Sequence, residues 1–290
     1  MNTHKRMKTA RPAESSAAGR IRRGLFLATA LVMIVPLSRP GAIAQDRLSG
    51  GEIVKKSHER FYYAGNDIRA KVTMNLISKS GKERTRELTM LRLNTGEGGE
   101  QKYYMYFHRP ADVREITFMV WKYPGKNDDR WIFMPAIKLV RRIAADDRNS
   151  SFVGSDFTYE EISGREVSED THTRKGTEAL NGHPAYRVES VPVDEKGAAY
   201  GRKISWIDTA TFLPMKEEYY DKRGSLMKVF TADSIEAVQG KATITRRTMA
   251  NVQNGHRTVV TFAEVQYNIG LKEDIFSERY LRTAPREWVR

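Results

Sequence analysis

The sequence predicts a mainly β (α+β) domain built on a single antiparallel sheet curled on itself, and three observations carry that reading. From Ile68 onward, apolar and polar residues alternate with period two, the mark of half-buried strands. Turn-rich clusters punctuate the alternation at residues 78–81, 94–99, 124–127, 181–184, 194–197, 221–224 and 254–255. No linker, low-complexity tract or long charge run divides residues 45–290. Roughly ten to eleven strands joined mostly as hairpins point to one sheet and one domain.

Residues 1–44 read as an export signal. Lys5, Arg6, Lys8, Arg11, Arg20, Arg22 and Arg23 form a positive leader, residues 25–37 an apolar stretch, and Ala42-Ile43-Ala44 a cleavage site. Arg22-Arg23 hints at twin-arginine export. The apolar stretch falls short of the roughly 20 residues that a membrane-spanning helix needs. The expected mature chain is residues 45–290, released into the periplasm. Residues 1–44 hold eight of the 49 Lys and Arg and one of the 36 Asp and Glu, so removing them lowers the net charge from +13 to +6. What remains is interspersed, without the clustered basic stripe of a nucleic-acid binder. A slight positive balance suits transient contact with anionic membrane surfaces. The chain has no cysteine, which excludes disulfides, thiolate nucleophiles and thiolate metal sites.

Along the mature chain, residues 48–63 predict a helix. Ser49 caps it, Glu52 completes a capping box, and Ile53, Val54, Lys56, Ser57, Arg60 and Phe61 form a partly apolar stripe. Strands follow at about 68–76, 88–93, 103–108, 116–121 and 131–134. A second series runs over about 185–191, 203–208, 215–220, 226–235, 242–249 and 258–267. Residues 274–280 suggest a short helical turn. The strands at 103–107 and 116–121 are apolar on both faces, so a helix, a second sheet or a ligand must cover each side. Methionine adapts to irregular apolar shapes and tyrosine joins an apolar body to a polar tip. Their abundance suits either a cavity for flexible acyl chains or an ordinary core.

Chemistry for an enzyme is missing. No nucleophile elbow, P-loop, dinucleotide fingerprint or zinc-protease motif occurs. His172 lies beside Glu169 and Asp170 but reads as a solvated histidine in a polar link, and Asp146-Asp147 as a charged loop. Neither a cofactor nor a metal is expected.

One stretch is more specific than composition allows. Residues 130–162 run from an apolar strand, Trp131 to Met134, through Pro135 and the basic Lys138, Arg141 and Arg142 to Phe152-Val153-Gly154-Ser155-Asp156-Phe157 and Tyr159-Glu160. This arrangement resembles the signature of the outer membrane lipoprotein-sorting family, the LolA-like proteins, and the similarity extends over most of the mature chain. The resemblance implies a half-open barrel with a helical lid, LolA/LolB-like, that shelters acyl chains of a lipid or lipoprotein on the way to the outer membrane. It also implies a possible inner-membrane transporter partner. A non-carrier accessory subunit docking an exporter of the RND type is the alternative.

The candidate cavity-lining residues are Met74, Leu76, Tyr104, Tyr106, Phe118, Val120, Trp131 and Phe133. Which face of each strand points inward stays open, because a one-residue slip swaps them. Pro135, Arg141, Arg142, Phe152, Gly154, Ser155, Asp156 and Phe157 are expected to be structural or mouth-lining. An Arg–Asp pair pinning the motif loop and an arginine site for a phosphate head group are the two alternatives.

Overall fold

The chain enters the sheet through a capped helix, α1 (Gly50–Tyr62). This computed structural model describes residues 48–96 and 99–290; the export segment and its cleavage site lie outside them. Ser49 caps α1 as expected: its backbone N–H donates to Glu52 Oε2 at 2.8 Å while the Glu52 N–H donates to Ser49 Oγ at 3.3 Å. Such a cap contributes about 1 kcal/mol. Gly50 lets the helix start against a neighbouring strand, since a Cβ there would stand 2.6 Å from the His172 carbonyl oxygen.

Thirteen strands follow. The first six are β1 (Asp67–Ile77), β2 (Glu83–Thr95), β3 (Glu100–Arg109), β4 (Thr117–Lys122), β5 (Asp129–Met134) and β6 (Leu139–Ile143). After a crossover come β7 (Asp170–Leu180), β8 (His183–Pro192), β9 (Arg202–Asp208), β10 (Pro214–Tyr220), β11 (Leu226–Val238), β12 (Lys241–Asn251) and β13 (His256–Tyr267). They pair antiparallel in one curved, unclosed sheet, in the order β6-β5-β4-β3-β2-β1-β13-β12-β11-β10-β9-β8-β7. The chain therefore starts at the sheet's centre, runs out to one edge, crosses to the other and returns to the centre.

That topology decides where the sequence signature goes. Residues 144–169 connect the two edge strands, so they must pass over one face of the whole sheet. They carry α2 (Tyr159–Ser163) and two 3₁₀ turns, Ala145–Asn149 and Val167–Glu169. The sheet curls round them. A single apolar cluster takes Val72, Met105, Phe118 and Ile132 from one half of the sheet, Phe230 and Met249 from the other, and Phe152 and Phe157 from the crossover. This is the inner face, and α1 adds Phe61 to it.

The opposite face of β2–β5 is covered by the C-terminal segment. A 3₁₀ turn (Glu273–Phe276), α3 (Glu278–Arg282) and α4 (Arg286–Val289) place Phe276, Leu281 and Val289 on Leu91, Tyr104 and Met119. Side chains of the sheet bolt this strap down by donating to its backbone carbonyls. Tyr104 Oη reaches Tyr280 O, Thr117 Oγ1 reaches Leu281 O and Trp121 Nε1 reaches Phe276 O, each at 2.7 Å. The covering required by the two-faced strands is thus a helical strap.

The sequence missed two strands. Residues 139–143 form an edge strand where only a basic segment was expected, and residues 170–180 form the other edge where a polar link was expected. Correspondingly, His172 is part-buried in β7, with Nδ1 2.8 Å from Ser190 Oγ and Nε2 2.8 Å from Val167 O.

Candidate functional site: the inner face beneath α1

The crossover motif is a tight hairpin. Phe152 N–H donates to Phe157 O at 2.7 Å and Ser155 N–H to Phe152 O at 2.9 Å, with Val153 and Gly154 at φ 48° and 76°. Phe152 is sunk among Phe107, Phe118 and Tyr159, at centroid distances of 6.0, 5.1 and 5.7 Å. Asp156 fastens the loop to β13: its Oδ2 accepts from Thr258 Oγ1 at 2.7 Å and sits 2.6 Å from His256 Nδ1. The expected Arg–Asp pin is therefore replaced. Arg141 pairs with Asp147 at 2.8 Å and Arg142 with Asp129, both arginines being exposed. Pro135 opens the 3₁₀ turn Pro135–Ile137, whose Ile137 and neighbouring Leu139 are 64% and 46% exposed.

The eight candidate lining residues divide by face. Met74, Leu76, Phe118 and Val120 belong to the inner cluster. Tyr104, Tyr106, Trp131 and Phe133 belong to the outer cluster beneath the C-terminal strap. The register explains the split, since Tyr104 opposes Met119 and Met119 opposes Trp131 across β3, β4 and β5. None of the eight lines the two cavities beneath α1.

Those cavities hold about 90 and 70 Å³. Phe61, Tyr62 and Arg247 line both, so the last turn of α1 divides one space from the other. The 90 Å³ cavity is walled by a neutralised charge network. Lys203 Nζ lies 2.9 Å from Glu217 Oε1, and Glu217 also accepts from Ser205 Oγ at 2.9 Å and Tyr219 Oη at 2.6 Å. Burial works to raise the Glu217 carboxyl, but Lys203 and these hydrogen bonds outweigh it and hold it below its ordinary value. Arg165 bridges Glu160 and Asp170 at 3.1 Å each, while Lys228 reaches Glu161 at 2.6 Å. Burial, with Lys122 and Lys203 adding repulsion, pushes His58 down to about 3, so it stands neutral at the wall.

The 70 Å³ cavity differs in kind. Apolar residues such as Ile68, Met90, Ile244 and Phe262 share its lining with Arg60, Arg92 and Arg247, and no carboxylate faces it. Arg92 spends its guanidinium on the end of α1, donating to the carbonyls of Tyr62, Ala64 and Gly65. Gln101 Nε2 donates to Tyr62 O at 2.9 Å and Asn94 Nδ2 to Gly65 O at 2.8 Å. Arg247 sits in an aromatic cage, 5.3 Å from the centroids of Phe61 and Phe157 and 4.8 Å from that of Phe262. Sequence reasoning placed Phe61 on the helix stripe but gave no role to Arg92 or Arg247. Each lies at an inward position of a period-two strand, and that parity was the available signal.

Among the described residues no group of three potential ligands could hold a metal ion. What the arrangement offers is a helix pinned over a divided space on the inner face of a curved sheet.

Comparison with known proteins follows the same outline. A family model described as an uncharacterized protein matches residues 99–283. A DUF1329 family protein from Desulfovibrio piger superposes with a TM-score of 0.75 at 28% identity, covering 80% of this chain and 97% of that one. An outer membrane lipoprotein-sorting protein domain from Vibrio parahaemolyticus gives 0.74 at 28% identity, covering 80% and 98%. A LolA superfamily protein from Nitrosomonas europaea, at 18% identity, shares the fold with a TM-score of 0.63 over 80% and 99% of the two chains. Comparison with curated proteins gives no match.

Proposed function

We propose that this chain, which belongs to the family whose model matches residues 99–283 and which superposes on an outer membrane lipoprotein-sorting protein domain, is a periplasmic carrier. It shelters a lipid, or the acyl chains of a lipoprotein, beneath α1 for transfer toward the outer membrane. The observation that carries this reading is the divided space under the helix. Ligand pockets usually measure about 300–1,000 Å³, so cavities of about 90 and 70 Å³ are too small to hold an acyl chain unless α1 moves. Moving Phe61 and Tyr62 outward joins them. α1 suits such movement, since only Gly50, Ile53 and Ser57 are buried along its length. Elements that open locally are drawn from the weakly packed parts of a fold. An acyl chain gains about 0.8 kcal/mol per buried CH₂, which can offset the cost of displacing the helix.

Release at a membrane needs a surface that touches it. Exposed Ile137 and Leu139, flanked by Lys138, Arg141 and Arg142, supply an apolar tip with a basic collar. A second reading rests on the same cavities: an inner face filled by the chain's own side chains suits a non-carrier subunit docking an inner-membrane exporter.

Native mass spectrometry of protein taken from periplasm without detergent separates the two. The carrier reading expects a co-purifying lipid or acylated protein that is lost in Phe61→Asp. Clean apo protein that also refuses fluorescent acyl probes would sink it in favour of the docking subunit.

A further inference from the structure

The 70 Å³ cavity carries more information than its size. Three arginines line it and no carboxylate does. Two of them, Arg92 and Arg247, each keep a buried Nε–H without a hydrogen-bond partner. Folded proteins pair nearly all of their buried polar groups, and each exception calls for an explanation. Here two such donors border one cavity. Arg247 has no ion-pair or hydrogen-bonding partner among the described residues; its contacts are the faces of Phe61, Phe157 and Phe262. The acidic groups nearby are engaged elsewhere, Glu161 by Lys228 and Glu217 by Lys203.

An aromatic cage round an arginine holds the cation in place without neutralising it. Guanidinium groups match the geometry of carboxylates and phosphates. The rest of the lining, including Ile68, Met90, Ile244 and Phe262, is apolar. Arg60 and Ala242 line this cavity and also an open surface cleft of about 570 Å³ beside the end of α1. A charged group at the arginines and an apolar chain among the aliphatic residues therefore fit one molecule.

We propose that the inner cavity bounded by Arg92 and Arg247 is the head-group site of an anionic amphiphile, a carboxylate or phosphate joined to an acyl chain, with Arg247 as its principal anchor. This rests on the carrier reading and adds the chemical class of its cargo.

The test compares cis-parinaric acid with its neutral methyl ester by fluorescence titration of the purified protein at neutral pH. Hydrogen bonds to a charged partner are worth enough for the acid to bind about tenfold to a hundredfold more tightly than the ester. In Arg247→Met that preference falls to about twofold or less while affinity for the ester is retained, which also shows that the variant is folded. Arg247→Lys keeps part of the preference. Equal binding of acid and ester by the native protein overturns the head-group site and leaves the carrier standing. Binding of neither removes the carrier reading and this inference with it. A third arm titrates inorganic phosphate against the acid: phosphate binding as tightly as the acid shows that the apolar chain adds nothing, assigns the arginines to a soluble anion and overturns the amphiphile, whereas displacement only at a large excess of phosphate supports it.

Discussion

Replacing Arg92 by leucine is the sharpest perturbation of the helix that covers the inner face. Arg92 is 4% exposed, and its guanidinium donates to the carbonyls of Tyr62, Ala64 and Gly65, where α1 ends. Two of those acceptors have a second donor, since Gln101 also serves Tyr62 O and Asn94 also serves Gly65 O. Only Ala64 O loses its sole side-chain partner. Hydrogen bonds to a charged group are worth about 1.5–3 kcal/mol each, so with the overlap we expect α1 to be loosened by about 3 kcal/mol. That is about a hundredfold in the opening equilibrium. Leucine keeps an apolar body against Met90 and the neighbouring strands, so the sheet itself should hold.

The assay is native-state hydrogen exchange followed by peptide. Amides of α1 should exchange about a hundredfold faster while those of β3 and β4 stay protected. Unchanged protection of α1 would refute the idea that Arg92 fastens the helix. A uniform loss across α1 and the sheet would show that the residue supports the fold at large instead.

Other outcomes follow from the same contacts. Asp156→Ala removes the acceptor for Thr258 and His256 and should cost about 2–3 kcal/mol, read as a lower urea midpoint. Asp156→Asn should recover part of it. Truncating the chain after Leu271 uncovers Tyr104, Met119 and Trp131, which should appear as red-shifted tryptophan emission and new binding of an apolar dye. Replacing both Ile137 and Leu139 with serine should weaken sedimentation with anionic vesicles and leave acyl-probe binding unchanged. His58 gives a pH dependence. Its pKa is lowered by burial from 6.5 to about 3, so below about 6.5 the unfolded chain takes up a proton that the folded one refuses. Stability is therefore full above that pH and falls as the pH drops toward 3. Urea midpoints across that range should fall less steeply in His58→Gln.

The legible parts of the fold were those with one buried face. Val72, Met74 and Leu76 alternate with polar residues because only one side of β1 meets the inner cluster, and Ser49 and Glu52 announce α1 through a local exchange of hydrogen bonds. The two edge strands were not legible. β6 is largely exposed and β7 alternates exposed with half-buried polar residues, so neither shows the apolar rhythm that marks a strand.

At the candidate site the difficulty was parity and distance. Tyr104, Tyr106, Trp131 and Phe133 are as apolar as their inward neighbours because the C-terminal strap buries them from the other side. Arg247 stands beside Arg246 in a run that reads as surface charge, yet Arg246 is exposed while Arg247 turns toward Phe61, Phe157 and Phe262. Those partners come from α1, the crossover and β13, and nothing local in the sequence brings them together.

The central claim is that cargo lies beneath α1 on the inner face, and a photoactivatable fatty acid tests it directly. After irradiation with purified protein, cross-links are mapped by tandem mass spectrometry. The account predicts adducts on α1 and β12–β13, at residues such as Phe61, Ile244 and Phe262, with loss of labelling when unlabelled fatty acid competes. Adducts confined to the exposed tip at Ile137 and Leu139, or to the outer face at Tyr106 and Trp131, would contradict it.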